Sequence, residues 1–226
     1  MAAQRASVRD VLTRCRKLGV RTVAGGPLFT SAPETFPDVD HLVLNEAEAT
    51  LPPFLADLEN GTARHLYATT EFPDLRATPV PLWHLANLKR YGAMNVQYSR
   101  GCPFDCEFCN ITTLLGRRAR TKSAEQIIAE MDSLWDHGWR DSVFFVDDNL
   151  LGNKRHLKEV LLPALIAWQR QHGGLPLNTE ISINIADDDE LMALMFQAGF
   201  DTVFIGIETP DEASLKECGK TQNRGR

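Results

Sequence analysis

Four times between residues 93 and 226 a short apolar run is followed by an amphipathic stretch and then by a new apolar run. "AMNVQYS" precedes "SAEQIIAEMDSLWDHG", "DSVFFV" precedes "KRHLKEVLLPALIAWQRQHGG", "TEISINI" precedes "DDDELMALMFQAG", and "TVFIGI" precedes "DEASLKECG". No hairpin turn signal separates the apolar runs, so they are predicted to pair in parallel through right-handed crossovers. In the first helix Ser123 is the expected cap, Ile127, Met131 and Leu134 face inward, and Gly138 is the stop. The second is expected to be interrupted at Pro163. The class is therefore α/β, and the even repeat favours a closed or partly closed βα barrel over a doubly wound sheet. At about 30 residues per βα unit, the segment holds four units. A barrel needs more, so this domain is expected to be truncated.

The N-terminal part reads differently. "SVRDVLTRCRKL" (7–18) places Val8, Val11, Leu12, Cys15 and Leu18 on one helical face, with Ser7 as cap and Gly19 as stop. "VRTVA" (20–24) reads as a short buried strand ending on Gly25-Gly26, "HLVL" (41–44) as a second, and "LPPFLADLENG" as a short helix closing at Gly61. Two strands are too few for an open α/β domain of about 100 residues, so residues 1–66 are expected to be part of a domain. Residues 67–92 are proline-rich and weakly periodic, which predicts a linker, and residues 93–226 form the second domain.

Composition excludes several classes. Net charge is −6, which gives no basic footprint for nucleic acid or an anionic membrane surface. No apolar run approaches the roughly 20 residues of a membrane span, and "MAAQRASVRD" lacks the apolar core of a signal peptide. The five cysteines are unevenly spaced and do not resemble a secreted disulfide framework. The expected address is the cytoplasm.

In parallel α/β architectures ligands gather at the C-terminal ends of the strands. Three polar clusters fall there: "SRGCPFDCEFCN" (99–110) after strand one, Asp147-Asp148-Asn149 after strand two, and Glu208-Thr209 after strand four. The first holds Cys102, Cys106 and Cys109 in C-x₃-C-x₂-C spacing. Thiolates suit zinc, copper(I) or iron–sulfur clusters. Structural zinc favours a second cysteine pair, and here the fourth ligand would have to come from His84, His137 or Cys218. A [4Fe–4S] cluster on three cysteines instead leaves one iron open for a substrate or cofactor.

This spacing in the loop after the first strand, with Phe108 just before the last cysteine, resembles the signature of the radical S-adenosylmethionine (SAM) superfamily. "YSRGCPFDCEFCNIT", "VDDNLLGNK", "TEISINIADD" and "AGFDTVFIGIETPDEASL" together resemble its cobalamin-binding members, in particular the group of hopanoid C-2 methylase-like enzymes. "VAGGPLFTSAPETFPDVDHLVLNEAEATLPPFL" is similar to the second half of that group's cobalamin-binding domain. The resemblance implies a partial radical SAM (β/α) barrel preceded by the C-terminal part of a doubly wound cobalamin-binding domain. It implies that Cys102, Cys106 and Cys109 ligate three irons and that SAM takes the fourth. Phe108 would lie beside the adenine, Asp147 and Asp148 would meet the methionyl amino group, and Glu208 the ribose. Ser182 and Asn184, on strand three, would face the same rim, and Gly25-Gly26 would let backbone approach the cobalamin tail. The implied cofactors are a [4Fe–4S] cluster, SAM and cobalamin, and the implied reaction is methyl transfer to an unactivated carbon of a small-molecule or lipid-like substrate. An electron donor such as flavodoxin or ferredoxin would be the partner. Radical chemistry without cobalamin, or an inactive fragment, are the alternatives. The group's upstream D-x-H-x-x-G motif and its fifth and sixth barrel strands do not occur in these residues, so the chain is expected to be a fragment.

Plainer readings stand beside these. Asp148 and Asn149 precede a helix and suit capping, and Glu208 could bond backbone in the turn before Pro210. Asp187-Asp188-Asp189 read as cap and dipole compensation for the next helix. "GRRARTK" (116–122) reads as a solvated or locally paired basic loop, and Cys15 and Cys218 as ordinary free thiols.

Overall fold

A computed structural model describes residues 4–225. They divide into two compact units, one ending at Pro73 and the other starting at Asp74.

In the first unit α1 (Arg5–Lys17) leads to β1 (Val23–Gly25), α2 (Pro27–Ser31), β2 (His41–Val43), α3 (Ala47–Glu59) and β3 (Leu66–Tyr67). The strands pair in parallel in the order β1-β2-β3. The unit thus has three strands where the sequence suggested two, because "LY" in β3 is too short to carry an alternation. β1 lies at the edge and Val23 is half exposed, so it is not the buried strand expected; the central β2 is the buried one. Gln4 caps α1 in place of Ser7, without a side-chain bond, and Val11 and Leu18 are exposed. α3 starts four residues before the predicted helix and carries Pro52 and Pro53 in its interior. Thr50 anchors its first turn through a 2.9 Å bond to the Leu44 carbonyl.

In the second unit β4 (Met94–Val96) is followed by the hairpin β5 (Ser99–Arg100) and β6 (Arg120–Thr121), which brackets the cysteine loop and α4 (Ile111–Leu115). Then come α5 (Ala124–Asp136), β7 (Val143–Phe145), α6 (Lys154–His156), α7 (Leu162–His172), β8 (Leu177–Ile181), α8 (Asp189–Gln197), β9 (Phe200–Ile205) and α9 (Glu212–Glu217). The four long-range strands are parallel and in sequence order, β4-β7-β8-β9. The antiparallel hairpin was not expected. Its two partner pairs, Ser99 with Thr121 and Arg100 with Arg120, enclose a long intervening stretch far outside any hairpin-turn spacing.

The core follows the predicted periodicities. Ile127, Met131 and Leu134 of α5 and Leu162 and Leu165 of α7 are fully buried against Val143, Phe145 and Leu177. Ser123 and Gln126 form a capping box at α5. The Gln126 amide also reaches the carbonyls of Leu75, Arg76 and Thr78 at 3.1–3.2 Å, which pins part of the proline-rich segment to the second unit. The helix is interrupted next to Pro163, as expected. A π turn over Leu157–Leu161 precedes the proline and places it in the first turn of α7, where a missing N–H costs nothing. Residues 183–187 form a 3₁₀ turn, so β8 ends at Ile181, and Ser182 and Asn184 lie just beyond the strand.

Candidate active-site cleft

The C-terminal ends of β4, β7, β8 and β9 all open on one side of the sheet, as parallel pairing requires. A cleft there is lined by Cys102, Cys106, Phe108, Cys109, Asp148, Ser182 and Glu208, all expected from sequence. Phe104, Asn149, Glu180, Ile181, Phe204, Gly206, Lys220 and Gln222 complete it. Asp147 and Asn184 are not among the lining residues, and Gly25 and Gly26 belong to the first unit.

The thiol loop is aimed by its root. Gly101 has φ +94°, and a Cβ there would come within 2.9 Å of three carbonyl oxygens, those of Leu115, Gly116 and Arg118. Only glycine lets the chain turn this tightly out of β5, after which the Cys102 N–H bonds the Gly116 carbonyl. The loop's far side rests on the stretch after α9: the Glu107 N–H donates to the Cys218 carbonyl, and a Cβ on Gly219 would come within 2.8 Å of the Asp105 carbonyl oxygen. Arg117 pairs with Asp105 at 3.0 Å. Burial pushes the Cys102 thiol up. Among the described residues no three His, Cys, Asp or Glu side chains converge as ligands of a single ion.

The two aspartates after β7 part company because successive residues of an extended strand face opposite ways. Asp147 is 1% exposed and turns inward, accepting bonds from the Tyr98 N–H at 3.1 Å, the Ser99 N–H and the Ser99 hydroxyl at 2.5 Å. Burial pushes its carboxyl up to about 6 despite those donors. It therefore grips the joint between β4 and the thiol loop. Behind the joint the buried Tyr98 hydroxyl meets His156 Nδ1, and the Tyr98 carbonyl accepts from the Lys122 N–H, whose ammonium is buried against Glu130 at 2.5 Å. Asp148 turns outward into the cleft, its carboxyl raised by desolvation and then by the nearby Glu180 charge.

Asn149 caps the turn after β7 through Leu151 N–H, as read, but the same Oδ1 also accepts from the Ser182 N–H at 3.1 Å, tying β7 to β8 at the rim. Ser182 Oγ lies 2.6 Å from Asn184 Oδ1. Asp188 caps α8 through Leu191 N–H.

After β9 the backbone is unusual. Glu208 has φ +65°, one of two non-glycine residues in the left-handed region among those described. Asn223 holds that turn, donating from Nδ2 to the Gly206 and Ile207 carbonyls, both at 2.9 Å. Lys220, largely buried, pairs with Glu208 at 2.6 Å and lies 5.4 Å over the Phe108 ring. Lys220, Gln222 and Asn223 carried no sequence signal, since they follow a short helix in an irregular stretch. Glu180 was not among the residues expected from sequence.

A family model described as the radical SAM superfamily matches residues 96–226. The chain belongs to that superfamily. An uncharacterized methyltransferase of Synechocystis sp. is 46% identical over 99% of this chain and 42% of its own length. The hopanoid C-2 methylase of Rhodopseudomonas palustris is 38% identical over 99% of this chain and 43% of its own. The chain thus spans less than half the length of these curated relatives. Among solved structures, the cobalamin-dependent SAM radical enzyme OxsB with aqua-cobalamin bound has a TM-score of 0.76 over 98% of this chain and 36% of that one, at 18% identity. The radical SAM methyltransferase TsrM of Kitasatospora setae scores 0.75 over 93% and 46%, at 20% identity. At these identities the likeness is one of fold, and it covers both units. No helix among the described residues is long and apolar enough to cross a membrane.

Proposed function

We propose that the cleft is the cofactor site of a cobalamin-dependent radical SAM methyltransferase acting on an unactivated carbon, in a small-molecule or lipid-like substrate. The observation that carries the cluster is the placement of three thiols, and no fourth, on one cleft with an aromatic face and several carboxylates; methyl transfer and cobalamin are taken over from the relatives. The donor set fits a cluster. The ligands are soft thiols in C-x₃-C-x₂-C spacing, and three of them leave one iron of a cluster open.

Bound there, a [4Fe–4S] cluster and SAM supply one-electron cleavage of the sulfonium C–S bond, and cobalamin supplies a methyl carrier. The chain's part is to hold and to shield. Cys102, Cys106 and Cys109 would each ligate one iron. Asp148 would accept from the methionyl amino group, Glu208 from the ribose, with Ser182 beside them, and Phe108 would face the adenine. Lys220 supplies the one buried cation of the described lining and suits a carboxylate. Phe104 and Ile181, with the exposed Phe204, give the lining an apolar share. Asp147 would act through the loop root and Asn184 through Ser182, neither by direct contact. A flavodoxin- or ferredoxin-class protein would deliver the electron.

The N-terminal unit would contribute part of the cobalamin site at its strand ends. Gly26, at φ +86°, has open space where a Cβ would sit, which leaves room for a ligand to meet backbone. Gly25 has another use: a Cβ there would lie 2.3 Å from the Val43 carbonyl oxygen of the neighbouring strand.

Anaerobic reconstitution tests the reading. About four irons and four sulfides per chain are expected, lost in Cys102→Ala, Cys106→Ala or Cys109→Ala and kept in Cys15→Ala and Cys218→Ala. Stoichiometric zinc without charge-transfer absorbance would refute it.

A further inference from the structure

Gln222 reaches the thiol loop from the last described turn of the chain. Its Nε2 donates to Cys106 Sγ at 3.6 Å, 116 positions away in sequence. The other end of the same amide, Oε1, is buried and has no hydrogen-bond partner. The neighbouring Asn223 also leaves its amide oxygen without a partner, so what marks Gln222 is that its amide N–H goes to a sulfur. The seat is rigid: the next residue, Asn223, is buried and fixed by its two bonds to the Gly206 and Ile207 carbonyls. Gln222 is therefore held where its N–H meets Cys106.

The chemistry of the acceptor sharpens the point. A thiol can donate weakly, but a thiolate bound to iron can only accept. With the metal in place the amide has one compatible orientation, N–H toward sulfur. Such a bond draws negative charge from the thiolate and favours the reduced state, which carries one electron more, so it raises the reduction potential. Resting on the cluster reading above, we propose that Gln222 tunes the cluster's reduction potential through an N–H···S bond to Cys106. Cys102 has donors of its own in the Phe104 backbone and the Asn149 side chain, so the bond from Gln222 is the one that reaches Cys106 from this turn.

The test is an EPR-monitored redox titration of the reconstituted chain, with iron and sulfide measured on each sample. Gln222→Leu removes the donor. Gln222→Glu keeps the shape but replaces the donor with a charge. Both variants should hold iron as the wild type does and show more negative midpoints, with Gln222→Glu the lower. An unchanged midpoint in a fully loaded Gln222→Leu overturns the proposal while leaving the cluster reading intact. If neither variant loads, the wild type decides. With side-chain ¹⁵N-labelled glutamine its reduced cluster should show a nitrogen coupling by pulsed EPR, and absence of that coupling overturns the proposal. A wild-type chain that takes up no cluster overturns the earlier reading and this one together.

Discussion

Replacing Gly101 by alanine isolates the geometry that aims the thiol loop, and its cost can be built from two separable parts. The first is backbone: an L-residue in the left-handed region costs about 1–2 kcal/mol. The second is crowding, because the new Cβ would meet the carbonyl oxygens of Arg118, Gly116 and Leu115 at 2.7, 2.9 and 2.9 Å. Backbone oxygens cannot swing aside as a side-chain tip can, and overpacking of this kind costs about 1–3 kcal/mol. The sum is roughly 2–5 kcal/mol. At about 2–4 °C per kcal/mol for a chain of this size, Gly101→Ala should lower the midpoint of thermal unfolding by about 10 °C. Two other glycines of the same unit serve as rulers. Gly138 has φ +86° with open space around the would-be Cβ, so Gly138→Ala pays only the backbone part, about 1–2 kcal/mol. Gly92 has neither constraint, so Gly92→Ala should stay within about 0.5 kcal/mol of wild type. Circular dichroism melts of the iron-free chain give all three values. If Gly101→Ala costs no more than Gly138→Ala, the three carbonyls do not confine the loop root and the reasoning fails.

Two further outcomes are expected. Asp148→Ala should weaken the change that SAM causes in the reduced cluster's EPR spectrum more than Asp189→Ala does, because Asp148 lines the cleft while Asp189 sits in the first turn of α8; equal effects would show that the rim is misplaced. Asp147, with its carboxyl raised from 3.8 to about 6 in the folded chain, contributes stability that is fully present below about pH 4 and is lost as pH rises through 6, worth about 3 kcal/mol. Asp147→Asn cannot titrate, so the stability of wild type relative to this variant should fall by about that amount between pH 4 and pH 7 in urea unfolding; a pH-independent difference would contradict the burial argument.

The parallel βα order, the α5 capping box and the placement of the thiol loop at a strand's C-terminal end were all legible, because periodicity, cap residues and cysteine spacing are local signals. The resemblance carried seven of the eleven expected site residues onto the lining of one cleft. Asp147 shows why it did not carry more. "DD" in sequence does not say which carboxylate faces the core, and that depends on strand alternation relative to a sheet the sequence does not display. Ser182 and Asn184 were placed on a strand because "TEISINI" alternates well, yet the chain turns into a 3₁₀ helix once the Asn149 side chain takes the Ser182 N–H. β6 and the turn holding Lys220, Gln222 and Asn223 depend on partners far away in sequence, and no window of neighbouring residues encodes them.

The reach of Gln222 back to Cys106 also orders events in time. Closing a loop of 116 residues from an unfolded chain costs about 4 kcal/mol in chain entropy, whereas closing the 17 residues that remain after β9 has joined the sheet costs about 2.5. Chain entropy therefore favours docking of the turn after β4, β7, β8 and β9 have paired. Until the turn docks, the thiols are approachable from that side.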